Sequence, residues 1–218
     1  MCKQTKLRTD MPPLPRRMTR LPIDKRGYPV PWFVAWIDGE PDFRIIKPRA
    51  VLQALRDKKC WICGERLGKY KAFVIGPMCA INRVSSEPPM HRDCAEFAAM
   101  ACPFLTRPKA KRREHGVTEL DVKEAAGIGL KRNPGVALVW ITRRFEIIRL
   151  KDGLLFDVGD PDEVLWFCEG RAANRNEVME SINSGFPILQ EAAEKEGDGA
   201  VEELVRRRSA AEALVPVA

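Results

Sequence analysis

The chain has 218 residues, 45% hydrophobic and 31% charged, with a formal net charge of +7. That length and composition suit a water-soluble globular fold of one ample domain or two small ones. No apolar run approaches the roughly 20 residues of a membrane span, so a transmembrane helix is excluded, and the basic opening Met1-Cys2-Lys3-Gln4-Thr5-Lys6 lacks the apolar stretch of a secretory signal. Charge divides unevenly. Residues 1–115 carry 24 Lys and Arg against 11 Asp and Glu, whereas residues 116–218 carry 13 against 19. A basic half beside an acidic half points to a polyanion-facing surface on the first, or else to a solubilising surface without a partner.

Residues 1–27 form a basic, Pro-rich arm, read as partly disordered, with a short polyproline stretch at Met11-Pro12-Pro13-Leu14-Pro15. Pro29 to Ile37 reads as a strand, with Trp32, Val34 and Trp36 on one face. Asp38-Gly39 marks a turn and Phe43 to Ile46 the returning strand. The intervening loop is expected to exceed two residues, because Pro41 interrupts it. Pro48 opens a helix with Val51, Leu52 and Leu55 as its apolar side, ending near Lys58-Lys59. Tyr70 to Ile75 and Met78 to Val84 read as a hairpin about the turn Gly76-Pro77. A basic linker, residues 107–116, holds Arg107, Lys109, Lys111, Arg112 and Arg113. It is a solvated connector or a strap that contacts phosphate.

The second half, residues 117–195, restarts with a short helix over 118–126 and a turn at Asn133-Pro134-Gly135. Val136 to Ile141, Phe145 to Leu150 and Leu154 to Val158 read as three strands in an antiparallel meander. Gly159-Asp160-Pro161 has the form of a helix start, with Asp162 and Glu163 in its first turn. A further helix is expected from Asn174, its cap, to Asn183, with Glu177 completing a capping box and Ser184-Gly185 as the stop. Pro187 starts another helical stretch, and residues 196–218 form a charged tail.

Cysteine carries the chemical signal. An odd count of seven argues against a disulfide framework and for a reducing, cytoplasmic setting. Five of the seven lie between Cys60 and Cys102. Cys60-Trp61-Ile62-Cys63-Gly64 has the spacing of a zinc knuckle, in which backbone N–H groups point at the sulfurs and Gly64 supplies the conformation after the second ligand. His91 and Cys94 follow Pro88-Pro89 at the start of a helix, where i and i+3 share a face and the helix N-terminus favours a thiolate. Cys102 lies eight residues beyond Cys94, about 12 Å along one helix, too far to share a tetrahedral ion. Cys79 is the alternative to His91, and the helical pair favours His91.

Knuckle, hairpin, then a helix bearing two ligands resembles a treble-clef zinc finger over about 45 residues. The resemblance implies one structural Zn2+ on Cys60, Cys63, His91 and Cys94 within an α+β protein, flanked by the N-terminal hairpin and the C-terminal meander with helices. Residues 28–106 then form the hairpin and zinc module. Treble clefs of the HNH class cut nucleic acid, but this chain has only two histidines, and Asn82 in the hairpin lacks one beside it. Gly64 to Lys69 lacks the glycine spacing of a phosphate loop. Gly27-Tyr28-Pro29-Val30-Pro31-Trp32-Phe33, Gly76-Pro77-Met78-Cys79 and Cys102-Pro103-Phe104-Leu105 resemble segments of uncharacterised proteins from proteobacterial phages and mobile elements. The expected function is therefore a nonenzymatic zinc protein of phage type. Its basic residues Lys69, Lys71, Arg83, Arg107, Lys109, Lys111, Arg112 and Arg113 are expected to meet nucleic acid. The alternatives are a factor that binds and redirects a host protein, with zinc purely structural, and an HNH-like nuclease.

Overall fold

The computed structural model describes residues 6–107, 134–151 and 153–217, apart from the side chain of Asp198. The helix expected at 118–126, Lys109, Lys111, Arg112 and Arg113 lie outside them. The described part of the N-terminal arm is packed against the body. A 3-10 turn at Arg16–Met18 buries Met18, and Asp24, also buried, accepts hydrogen bonds from the backbone of Arg26 and Tyr28.

Strands β1 (Val34–Ile37) and β2 (Glu40–Ile46) form a two-stranded antiparallel hairpin. Ile37 pairs directly with Glu40, so the loop is only Asp38 and Gly39, both at positive φ. This corrects the longer loop expected from Pro41. That proline lies inside β2 opposite Trp36, on a strand with a free edge where a missing N–H is tolerated. In helix α1 (Ala50–Arg56), Ala50 and Ala54 are buried and Val51 and Leu55 pack against the core as expected, whereas Leu52 is exposed.

Next come β3 (Lys71–Ile75), α2 (Pro77–Asn82), β4 (Val84–Ser85) and α3 (Arg92–Ala101). The second strand of the expected hairpin is thus mostly the helix α2. Gly76 is its extended N-cap, Pro77 occupies the first turn, and Arg83 ends it in the left-handed region. A shorter pairing survives, because Ala72 bridges to Met90 with both backbone hydrogen bonds at 2.8 Å.

The second half contributes β5 (Val136–Thr142), β6 (Glu146–Arg149), β7 (Leu154–Asp157), β8 (Glu163–Cys168), β9 (Arg171–Ala172), α4 (Arg175–Glu196) and α5 (Asp198–Glu212). β6 and β7 pair as expected, but β5 does not join them. The antiparallel central sheet runs β3-β5-β8-β9, and a smaller sheet runs β4-β7-β6. The helix expected after Gly159-Asp160-Pro161 is instead β8, which pairs along its full length with β5. Asp160, Asp162 and Glu163 serve as ion-pair partners of Arg83, Arg143 and Arg92.

Alternation along these strands builds two cores, one on each face of the central sheet. Phe73, Leu138, Trp140 and Trp166 face α2, α4 and α5. Ala72, Val139 and Ile141 face α3, Cys60 and Trp61. Burial on both sides explains why all seven residues of β5 are buried. Because β3 pairs with β5, the cysteine-rich segment and the second half share one sheet.

The capping box of Asn174 and Glu177 starts α4 as predicted. The helix then passes through Ser184, Gly185 and Pro187 to Glu196 instead of stopping. An interior proline costs about 3 kcal/mol. Burial of Val178, Ile182, Phe186 and Ala193 along the helix opposes that cost. Gly185 packs closely on α2, since a Cβ there would lie 2.9 Å from the Met78 sulfur. Gly199, in the first turn of α5, has no such neighbour among the described residues. Gly185→Leu should therefore lower unfolding free energy by about 1–3 kcal/mol, while Gly199→Ala should raise it by up to about 1 kcal/mol. Urea unfolding of both variants measures this, and equal effects would contradict the packing assigned to α4.

Candidate metal centre

The first ligand pair sits on a tight local hairpin. The Cys60 N–H donates to the Glu65 carbonyl at 2.7 Å, the Gly64 N–H to the Cys60 carbonyl at 2.9 Å and the Leu67 N–H to the Lys58 carbonyl at 2.7 Å. Gly64 has φ 74°, and a Cβ there would lie 2.5 Å from the Trp32 ring, so glycine is needed both for conformation and for space. The hairpin is backed by aromatic packing. Trp61 is fully buried and stacks on Phe33 at 4.5 Å between centroids, with Trp32 edge-on at 6.4 Å.

The second pair arrives through two backbone contacts. The Trp61 N–H donates to the Pro89 carbonyl at 3.1 Å, and the Met90–Ala72 bridge fixes the next residue. His91 is the extended N-cap of α3, and Cys94 lies in the first turn of that helix. The ligand atoms of Cys60, Cys63, His91 and Cys94 all lie within 4.8 Å of one another. The Cys63 sulfur is 3.4 Å from His91 Nδ1, and the His91 backbone N–H donates to the Cys60 sulfur at 3.4 Å. On the other side of the ring, Nε2 lies 3.0 Å from the Arg66 carbonyl. An N–H at Nε2 donating to that carbonyl leaves Nδ1 as the donor to a metal, a common outer-shell arrangement of metal-bound histidine.

Protons in the cluster are shared unequally. Hydrogen bonds from Cys60 and Cys94, with His91 beside it, hold the Cys63 thiol down to about 2. Burial opposes charge on His91, yet its contacts with Cys60 and Cys63 raise it to about 10. Cys94 is pushed up by the Cys60 and Cys63 sulfurs and by burial, so its neighbours outweigh the helix N-terminus expected to lower it. Three sulfurs and one imidazole nitrogen at these separations fit a tetrahedral, soft divalent ion. With metal–sulfur bonds near 2.3 Å, ligand sulfurs lie about 3.8 Å apart.

Cys79 and Cys102 stay outside the cluster. Cys79 lies on α2 and packs against the other core, and Cys102 caps the end of α3. Burial raises both thiols. Asn82 ends α2, where its carbonyl accepts a hydrogen bond from Arg207.

Among the expected nucleic-acid contacts, Lys69 lines a groove with His91, and the Lys71 ammonium donates to the Lys69 carbonyl at 2.9 Å. Arg83 pairs with Asp160 at the junction of α2 and β4, and Arg107 lies beyond α3. Spacing alone misses a groove of about 420 Å3 beside His91, lined by Arg17, Arg66, Lys69, Tyr70, Arg92 and Asp93. The run Arg66 to Lys71, with three cations about one tyrosine, is its only local sequence signal. Among the described residues, no helix is long and apolar enough to cross a membrane. No family model, curated protein or solved structure matches the chain.

Cys63→Ser should remove the bound metal and lower unfolding free energy by several kcal/mol, whereas Cys102→Ser should keep one equivalent of metal. Metal content by mass spectrometry and thermal unfolding of both variants decide this, and equal metal loss in the two would contradict the ligand set.

Proposed function

We propose that this chain is a nonenzymatic, zinc-braced protein of phage or mobile-element type that associates with nucleic acid through its basic first half. The observation that carries the zinc assignment is the Cys3His donor set gathered within 4.8 Å. Soft thiolates with one imidazole in four-fold coordination suit Zn2+, and four protein ligands leave no open position for a reactive water. Zinc here is a structural tie of treble-clef type, joining a knuckle at residues 60–64 to the start of α3. Its role is to hold the surface around it in one conformation.

Support for nucleic acid comes from charge. The first 115 residues carry an excess of 13 positive charges, and Lys69 and Lys71 project from the segment that the metal centre anchors. Contacts of this kind position phosphate without reading bases. Docking on a host protein is favoured by a separate feature, the exposed Trp36, Ile37 and Ile46 of the hairpin.

A salt titration separates the two. Phosphate binding requires the affinity for DNA or RNA to fall linearly with log salt, with a slope near −0.7 to −0.9 per contact. The expected slope is about −3 to −5 for the zinc-loaded chain, because several cations act together. Affinity that does not change with salt, or no binding at low salt, would overturn the nucleic-acid reading in favour of a protein partner.

A further inference from the structure

We propose that the groove beside His91 binds single-stranded nucleic acid, with Tyr70 as the platform for one base and Arg66 and Lys69 as phosphate contacts. This rests on the nucleic-acid reading above and adds to it the class of strand and the residues that hold it. Cations dominate the lining. Arg17, Arg66, Lys69 and Arg92 stand against the single carboxylate of Asp93, which is tied to Arg17 at 3.3 Å. Arg92 is engaged by Glu96 at 2.6 Å and by both oxygens of Glu163 at 2.6 and 2.7 Å. Arg66 and Lys69 differ, since both are exposed and neither has an ion-pair partner among the described residues. They are the donors open to a phosphate, while Arg17 and Arg92 supply field around them.

Tyr70 gives the groove its second chemistry. The residue is 50% exposed, with the Lys69 ammonium 5.7 Å from its ring centroid. Gly68, on the same groove, has open space around it, since a Cβ there would meet no atom of the described residues within 4 Å. An aromatic face flanked by unpaired cations matches a nucleotide, whose base stacks while its phosphate is held. A base inside a duplex keeps both faces covered by its neighbours, so the platform selects unpaired strand. The cavity of about 420 Å3 is of nucleotide size.

The groove is also preformed. Its wall, residues 66–71, is fixed at one end by Leu67 bonded to Lys58 and by the Arg66 carbonyl beside His91, and at the other by Ala72 bridging to Met90. These contacts hold the segment that carries Arg66, Lys69 and Tyr70 at both ends, so little backbone ordering is left for binding to supply.

The test uses the full zinc-loaded chain and fluorescence anisotropy with a labelled oligonucleotide of about 12 nucleotides, a length within known site sizes. The same sequence is offered as single-stranded DNA, single-stranded RNA and duplex DNA. Binding of either single strand in preference to the duplex is expected. Tyr70→Ala should weaken it by about five- to a hundredfold, and Tyr70→Phe should restore it, because stacking needs the ring and not the hydroxyl. Lys69→Ala should reduce the salt slope by about 0.7. Zinc content near one equivalent in each variant shows that the fold is intact. Tyr70→Ala binding like a parent that binds tightly, or a preference for duplex, would overturn the groove while leaving nucleic-acid association standing. A parent that binds none of the three probes would overturn both.

Discussion

Three thiols and an imidazole held within 4.8 Å of one another form a costly arrangement unless a cation occupies their centre. The burial of Cys60, His91 and Cys94 sharpens that cost, because water is not there to solvate the charge. A divalent ion reverses the balance by replacing shared protons with metal–ligand bonds. The rest of the first half follows from closing this loop. Bringing residues 60–63 against residues 91–94 sets the ends of β3 and α3. The intervening chain then has to return through α2 and β4, and β3 is left with one edge to pair with β5.

That pairing makes the central sheet a shared wall. One face carries the metal centre, α3 and the N-terminal segment through Met18, and the other carries α2, α4 and α5. Fully burying a large side chain such as Phe73 or Leu138 contributes about 1.5–3 kcal/mol. Polar groups at these faces are mostly satisfied, as where Trp140 Nε1 donates to the Val158 carbonyl and Trp166 Nε1 to the Leu214 carbonyl. Among the described residues Trp61 departs from this, since its Nε1 is buried without a partner there, a cost of about 1–3 kcal/mol. Stacking on Phe33 and full burial of the Trp61 ring offset it, and the ring is the floor on which the ligand-bearing hairpin rests.

The four clustered side chains were legible because their chemistry is local. Two residues between Cys60 and Cys63, and two between His91 and Cys94, are constraints on single turns. The capping box at Asn174 was legible for the same reason. What failed depended on distant partners. Met78 to Val84 is apolar enough for a strand, but Pro77 and the packing of Met78 and Ile81 make it a helix. Glu163 to Cys168 carries helix-start residues before it. Its Val, Leu, Trp and Phe side chains face two cores at once, and such a run has no period that separates strand from helix. Gly185 has the local signature of a helix stop, but its constraint, the Met78 sulfur, lies on another helix. The groove has little local signature because Arg17 and Arg92 reach it from far along the chain.

X-ray absorption at the zinc edge of the purified, zinc-loaded chain tests the central claim most directly. The account predicts a first shell of three sulfurs near 2.3 Å and one nitrogen near 2.0 Å, with the outer-shell scattering of an imidazole. Four sulfurs would mean that a cysteine outside the cluster displaces His91. A light-atom ligand in place of any sulfur would mean an open site, and either shell would contradict a closed Cys3His tie as the constraint on which this fold is built.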